Sequence, residues 1–127
     1  MAVELGNPWR ANVGSAEAMI VAEILLVKFD QVTEGRLAEL FGCRGHHAIT
    51  HSGDQPLSQV LRRRGFDLVI LDVSCDYSIT RKHVAAVRAR REQHGLRPML
   101  LCVSRVYRGP QFELELEREG ARVVYVL

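Results

Sequence analysis

Asp72 closes the run Gly65-Phe66-Asp67-Leu68-Val69-Ile70-Leu71-Asp72, an apolar stretch that stops on a carboxylate. In an open parallel sheet, ligands and chemistry sit at the carboxyl ends of the strands, so an aspartate delivered there is a candidate functional group. The same residue can instead cap the following loop or pair with a basic neighbour. His46, His47 and His51, with Cys43 nearby, have metal-ligand chemistry. Zinc needs about four ligands converging tetrahedrally. In a strand His47 and His51 share a face and His46 points away, so ordinary polar residues around a short strand are the expectation. Cys75 follows Asp72 closely, but a nucleophilic thiol needs a base or a positive surround, and only Arg81 and Lys82 are near in sequence. His83 and His94 are expected as exposed helix residues, His94 favourably near a helix C-terminus. The chain has no Gly-rich phosphate loop, GxSxG or HExxH motif.

The elements that must position these groups follow from apolar spacing. Ile24-Leu25-Leu26-Val27 reads as a buried strand, His47-Ala48-Ile49-Thr50 as a weak one, and Leu68 to Leu71, Met99 to Val103 and Arg122 to Leu127 as three more. Val32, Leu37, Leu40 and Phe41 fall at helical spacing with Gly42 as a stop. Asp54 and Pro56 open a second helix that ends at Gly65, and Thr80 caps a long third helix closed by Gly95. Phe112 to Glu117 alternates like a strand, yet Pro110 before it and Gly120 after it predict a helix. Residues 1–22 form an extension, an arm or a short helix from Ser15 to Ala22, and residues 23–127 form the domain. Trp9, the only tryptophan, is expected to bury against something. Alternating strands and helices imply right-handed βαβ crossovers, hence an α/β three-layer sandwich around a five-stranded parallel sheet.

The length of 127 residues suits one domain with a real core. No run is long enough to span a bilayer, and the N-terminus has no signal-peptide pattern. Three cysteines without CxxC spacing fit a reducing cytoplasm. Charge is uneven: Leu61 to Arg108 holds ten arginines and one lysine against four carboxylates, a net +7, while the remainder nets −5. Such a patch can bind phosphates, but no aromatic residues interleave with the arginines as a stacking platform needs. Solvated helix faces are therefore expected over nucleic-acid binding, which stays an alternative function.

The order of strands, with Ile24 to Val27 first and Phe66 to Asp72 third, resembles the receiver domain of two-component response regulators. Pro98-Met99-Leu100-Leu101 and Gly120-Ala121 add to the likeness, which runs from Ile24 to Leu127. The resemblance implies CheY-like strand order 2-1-3-4-5 and makes Asp72 the phosphoacceptor position. In that family an acidic pair after the first strand holds Mg²⁺, and a hydroxyl after the fourth strand and a lysine after the fifth contact the phosphoryl group. This chain departs at each. The acidic pair aligns with Lys28 and Phe29, with Asp30 one residue late. The hydroxyl position counts to Val103, and Ser104 follows it; the lysine position runs into Leu127. The family's last helix is missing.

The expectation is a degenerate receiver, not an enzyme, that acts by protein–protein interaction. Lys28 beside Asp72 takes the place of the metal charge and no cofactor is bound. The alternative is an active phosphoacceptor using Asp72, with Asp30 in the Mg²⁺ site and Ser104 on the phosphoryl group. Partners implied are a second copy, a histidine kinase or an output protein, with no membrane. Without its last helix the sheet leaves an apolar face that either the N-terminal extension or a second copy covers, and a homodimer is favoured.

Overall fold

Strand β1 (Glu23–Val27) is an inner strand of the sheet in a computed structural model that describes residues 20–51, 55–74, 77–95 and 97–126. Leu25, Leu26 and Val27 are almost wholly shielded, each such side chain contributing roughly 1.5–3 kcal/mol on leaving water. On one side β1 pairs with β2 (His47–Thr50), on the other with β3 (Leu68–Asp72). Strands β4 (Met99–Ser104) and β5 (Ala121–Tyr125) extend the sheet, all parallel, in the order β2-β1-β3-β4-β5. The predicted order and fold class are those found.

Helices α2 (Leu57–Arg63), α3 (Tyr77–His94) and α4 (Pro110–Arg118) cover one face. Their Leu57, Leu61, Val84, Val87 and Leu116 pack with Leu25, Val27, Val69, Leu71, Leu100 and Cys102. Helix α1 (Gln31–Cys43) lies on the opposite face, where Leu37 and Phe41 meet Ile24, Leu26 and Ile70. The proline-first, glycine-last segment 110–118 is indeed helical, because Phe112 and Leu116, one turn apart, meet the core.

Several predicted ends move. Gly42 lies inside α1, and the stop is Gly45 at φ 85°. There the N–H of His46 bonds Phe41 O and that of Gly45 bonds Gly42 O, a Schellman closure with Gly45 in the left-handed position. Helix α2 leaves through an extended Arg64 rather than through Gly65. Thr80 is a buried residue within α3, not its cap. Residues Ile20 to Ala22 are not helical, so a helix from Ser15 does not reach Ala22. The rest of the expected extension, Trp9 and Met19 included, lies outside the described residues, as do Cys75 and Leu127.

Candidate functional site

The carboxyl ends of β1, β3 and β4 converge where the crossovers change direction, the crevice of this architecture. Asp72 ends β3 there, partly exposed and opposite Val103 of β4. Its Oδ1 accepts the N–H of Ser74 at 2.9 Å, the two-residue turn that aspartate forms readily. The expected pair between Lys28 and Asp72 is not formed. Lys28 is exposed with a left-handed backbone, φ 73°, and no ion pair joins it to a carboxylate among the described residues. Instead its ammonium, with His51, adds to burial in holding the His83 imidazole below its usual range. His83 is accordingly half-buried, edge-on to His51 at 6.0 Å, rather than exposed. Phe29, the other residue at the acidic-pair positions, packs into the α1-face core.

Asp30 is the N-cap of α1. It accepts the Thr33 N–H at 2.9 Å, the Thr33 hydroxyl at 2.7 Å and the Arg105 guanidinium at 2.8 Å. The Thr33 N–H first, then its hydroxyl and Arg105, hold the carboxyl well below the usual carboxylate range. Ser104 is fully buried and turned into its own loop: its hydroxyl donates to Val106 O at 2.6 Å and accepts the Val106 N–H at 3.1 Å.

Two arginines in the β4–α4 loop, neither singled out from the sequence, stitch the crevice together. Arg105 reaches Asp30 and, at 3.1 Å, the Thr33 hydroxyl, while its own N–H donates to Ser74 Oγ at 2.9 Å. Arg108 donates to the Val73 and Ser74 carbonyls at 3.2 and 2.7 Å and lies over the Phe112 ring at 5.5 Å. Ser74 is thus the common partner of Asp72, Arg105 and Arg108. The available signal was the spacing Ser104-Arg105-x-x-Arg108 directly after a strand that ends in the crevice.

This donor set does not fit Mg²⁺. A hard cation wants several oxygens at short range. Of the two carboxylates proposed for it, Asp30 already carries a guanidinium and two Thr33 donors. Among the described residues no cluster of three or more His, Cys, Asp or Glu could hold a metal ion. The histidines go to separate partners: His46 Nδ1 accepts the Ala22 N–H, His47 Nδ1 meets Glu23 at 2.6 Å, and His51 Nε2 meets Gln55 O at 2.7 Å. Cys43, the nearby residue with ligand chemistry, is an exposed free thiol, so the histidines are ordinary polar residues, as expected.

Two arginines of α3 are also engaged. Arg88 pairs with Glu119 at 2.9 Å and Arg91 donates to Gly120 O at 3.0 Å, both fastening α3 to the α4–β5 turn. This spends on folding part of the charge that a nucleic-acid surface would need.

With five parallel strands in this order and the aspartate at the end of the third, the geometry matches known structures. The chemotaxis protein CheY4 of Vibrio cholerae superposes with TM-score 0.65 at 17% identity, over 85% of this chain and 87% of that one. A response regulator from Thermotoga maritima gives TM-score 0.66 at 19%, over 84% and 85%. The fold is that of the CheY-like receiver. A Burkholderia pseudomallei protein named for a relation to pilus assembly shares the receiver fold at TM-score 0.57 and 23% identity, over 82% and 77%. No protein-family model matches the chain, and no curated protein matches it significantly. Relative to the receiver pattern, this chain keeps the strand-end aspartate, and the carboxylate nearest in sequence to the acidic-pair positions, Asp30, is paired with Arg105. Among the described residues, no helix is long and apolar enough to cross a membrane.

Proposed function

We propose that the chain is a receiver-like signalling domain that works by binding other proteins and does not cycle through phosphorylation. The observation that carries this reading is Arg105, whose guanidinium sits 2.8 Å from Asp30 and 3.1 Å from the Thr33 hydroxyl. Phosphoryl transfer to a carboxylate brings together two anions, and a divalent cation bridging both is the usual remedy. Here Asp30, the carboxylate the alternative needs for that cation, is paired with the Arg105 guanidinium instead, and Ser104 is occupied with its own turn. A receiver fold does not itself impose phosphotransfer, since function resides in the site. We place the protein in the cytoplasm, where the unpaired thiols of Cys43 and Cys102 stay reduced. The partners expected are a histidine kinase or output protein, and a second copy meeting the outer edge of β5, which pairs with no further strand among the described residues.

A second reading, the active phosphoacceptor, is favoured by one feature: Asp72 is partly exposed and only its Oδ1 is hydrogen-bonded among the described residues. One experiment separates the two. Intact mass is recorded after incubation with acetyl phosphate and Mg²⁺, for the wild type and for Asp72→Ala. In the active reading an Asp72 oxygen bonds to phosphorus as acetate leaves, and only the wild type gains a phosphoryl group. The proposal expects no adduct on either chain, with both folded by circular dichroism.

A further inference from the structure

The α1 face of the sheet is covered over half its width. Leu37 and Phe41 of α1 reach Ile24, Leu26 and Ile70. Toward the other edge, Met99, Val124 and Val126 are 59%, 44% and 56% exposed, and Leu101 and Val103 are only partly shielded. Register sets Leu101 beside Arg122 and Val103 beside Val124, so these side chains form one surface. Arg122 makes no ion pair or side-chain hydrogen bond among the described residues. It is a lone cation inside an apolar patch.

We propose that this surface seats residues 1–19 of the same chain. The chain enters β1 from this side: Ala22 packs against the α1-face cluster, and Ile20 and Val21 just before it are exposed. The preceding segment has the matching chemistry. It carries Val3, Leu5, Trp9, Val13 and Met19, and its Glu4 and Glu17 outnumber Arg10, giving a carboxylate for Arg122. It also has the reach. From β1 across β3 and β4 to β5 is three strand spacings, about 14 Å. Nineteen residues span about 28 Å even if wholly helical. The occupant is thus in place, tethered at the margin of the patch, which lowers the entropy cost of docking relative to a separate partner.

Trp9 is the only tryptophan and reports the seating directly. Acrylamide quenching and the emission maximum are measured on the full chain, over a range of protein concentrations with the mass followed by sedimentation. The expected result is a shielded, blue-shifted Trp9 at every concentration. Val124→Lys, and the milder Arg122→Glu, then raise quenching to that of the urea-unfolded chain while circular dichroism stays native. Leu114→Lys, at an exposed position on α4 across the sheet, leaves it unchanged. Three results overturn the inference: a wild-type Trp9 quenched as in urea, shielding indifferent to both substitutions, or shielding that appears only as a dimer forms. The last assigns the face to a second copy.

Discussion

The two faces of the sheet are held by different means. Among the described residues, the face under α2, α3 and α4 buries fourteen side chains in one continuous cluster, whereas the α1 face buries three, so the first carries most of their apolar stabilisation. Helix α1 itself has no fully buried residue; besides the half-buried Leu37 and Phe41 it is held by its ends, the Asp30 cap at one and the Schellman closure at Gly45 at the other. The difference has a functional lesson. Cap and latch contacts are polar, and they reorganise more cheaply than a packed core, so a partner that acts on the crevice would move α1 before it moves α3.

Removing matched side chains from the two faces is the strongest test of that contrast. Leu25, fully buried on the packed face, should cost about 3 kcal/mol as Leu25→Ala, within the usual range for a core leucine. Leu37→Ala, where α1 meets the other face, should cost about 1 kcal/mol, since its side chain is only half-buried. Urea melts of both variants check this. Equal costs would mean that the α1 face is as tightly packed as its opposite.

A smaller effect tests the turn that joins α4 to β5 on the packed face. Gly120 sits at φ 89°, where an L side chain is strained, and a Cβ there also runs against the Arg91 guanidinium. Gly120→Ala should therefore cost about 1–2 kcal/mol from the backbone alone. Because Arg91 can swing aside, replacing Arg91→Ala in the same chain should recover little. A large recovery would place the penalty in the contact rather than in the dihedral angle.

The same contrast explains what the sequence made legible. The strands were readable because Ile24 to Val27 and Leu68 to Leu71 are apolar runs shielded on both sides and Met99 to Val103 is an apolar run buried on one, and α4 because Pro110 and Gly120 bracket it. Asp72 was readable because a strand end is a local feature. Its neighbours were not. Arg105 meets Asp30 across 75 residues of sequence, and Lys28 turns from Asp72 through a left-handed φ that no periodicity encodes. Gly42, Gly45 and their competition for the helix end depend on which glycine lets two carbonyls be satisfied at once.

The smallest effect lies at the strand ends, where His83 of α3 faces His51 and Lys28. Burial first, then the two neighbouring positive groups, hold its imidazole below the ordinary value of 6.5. The unfolded chain therefore takes up a proton near pH 6.5 that the folded chain refuses. Protons bound in excess by the unfolded state make stability rise with pH, so stability falls as pH drops below 6.5 and levels off once the lowered folded value is passed. Asp30 also weakens the fold in acid, but in a separate window: its carboxylate contribution persists above the unfolded value of 3.8 and is lost only below it. Urea midpoints between about pH 8 and about pH 5 thus isolate the histidine. Wild type should lose stability across that span, and His83→Gln should flatten the slope while His94→Gln, an exposed position at the end of the same helix, leaves it intact. An unchanged slope in His83→Gln would move the acid sensitivity away from the crevice.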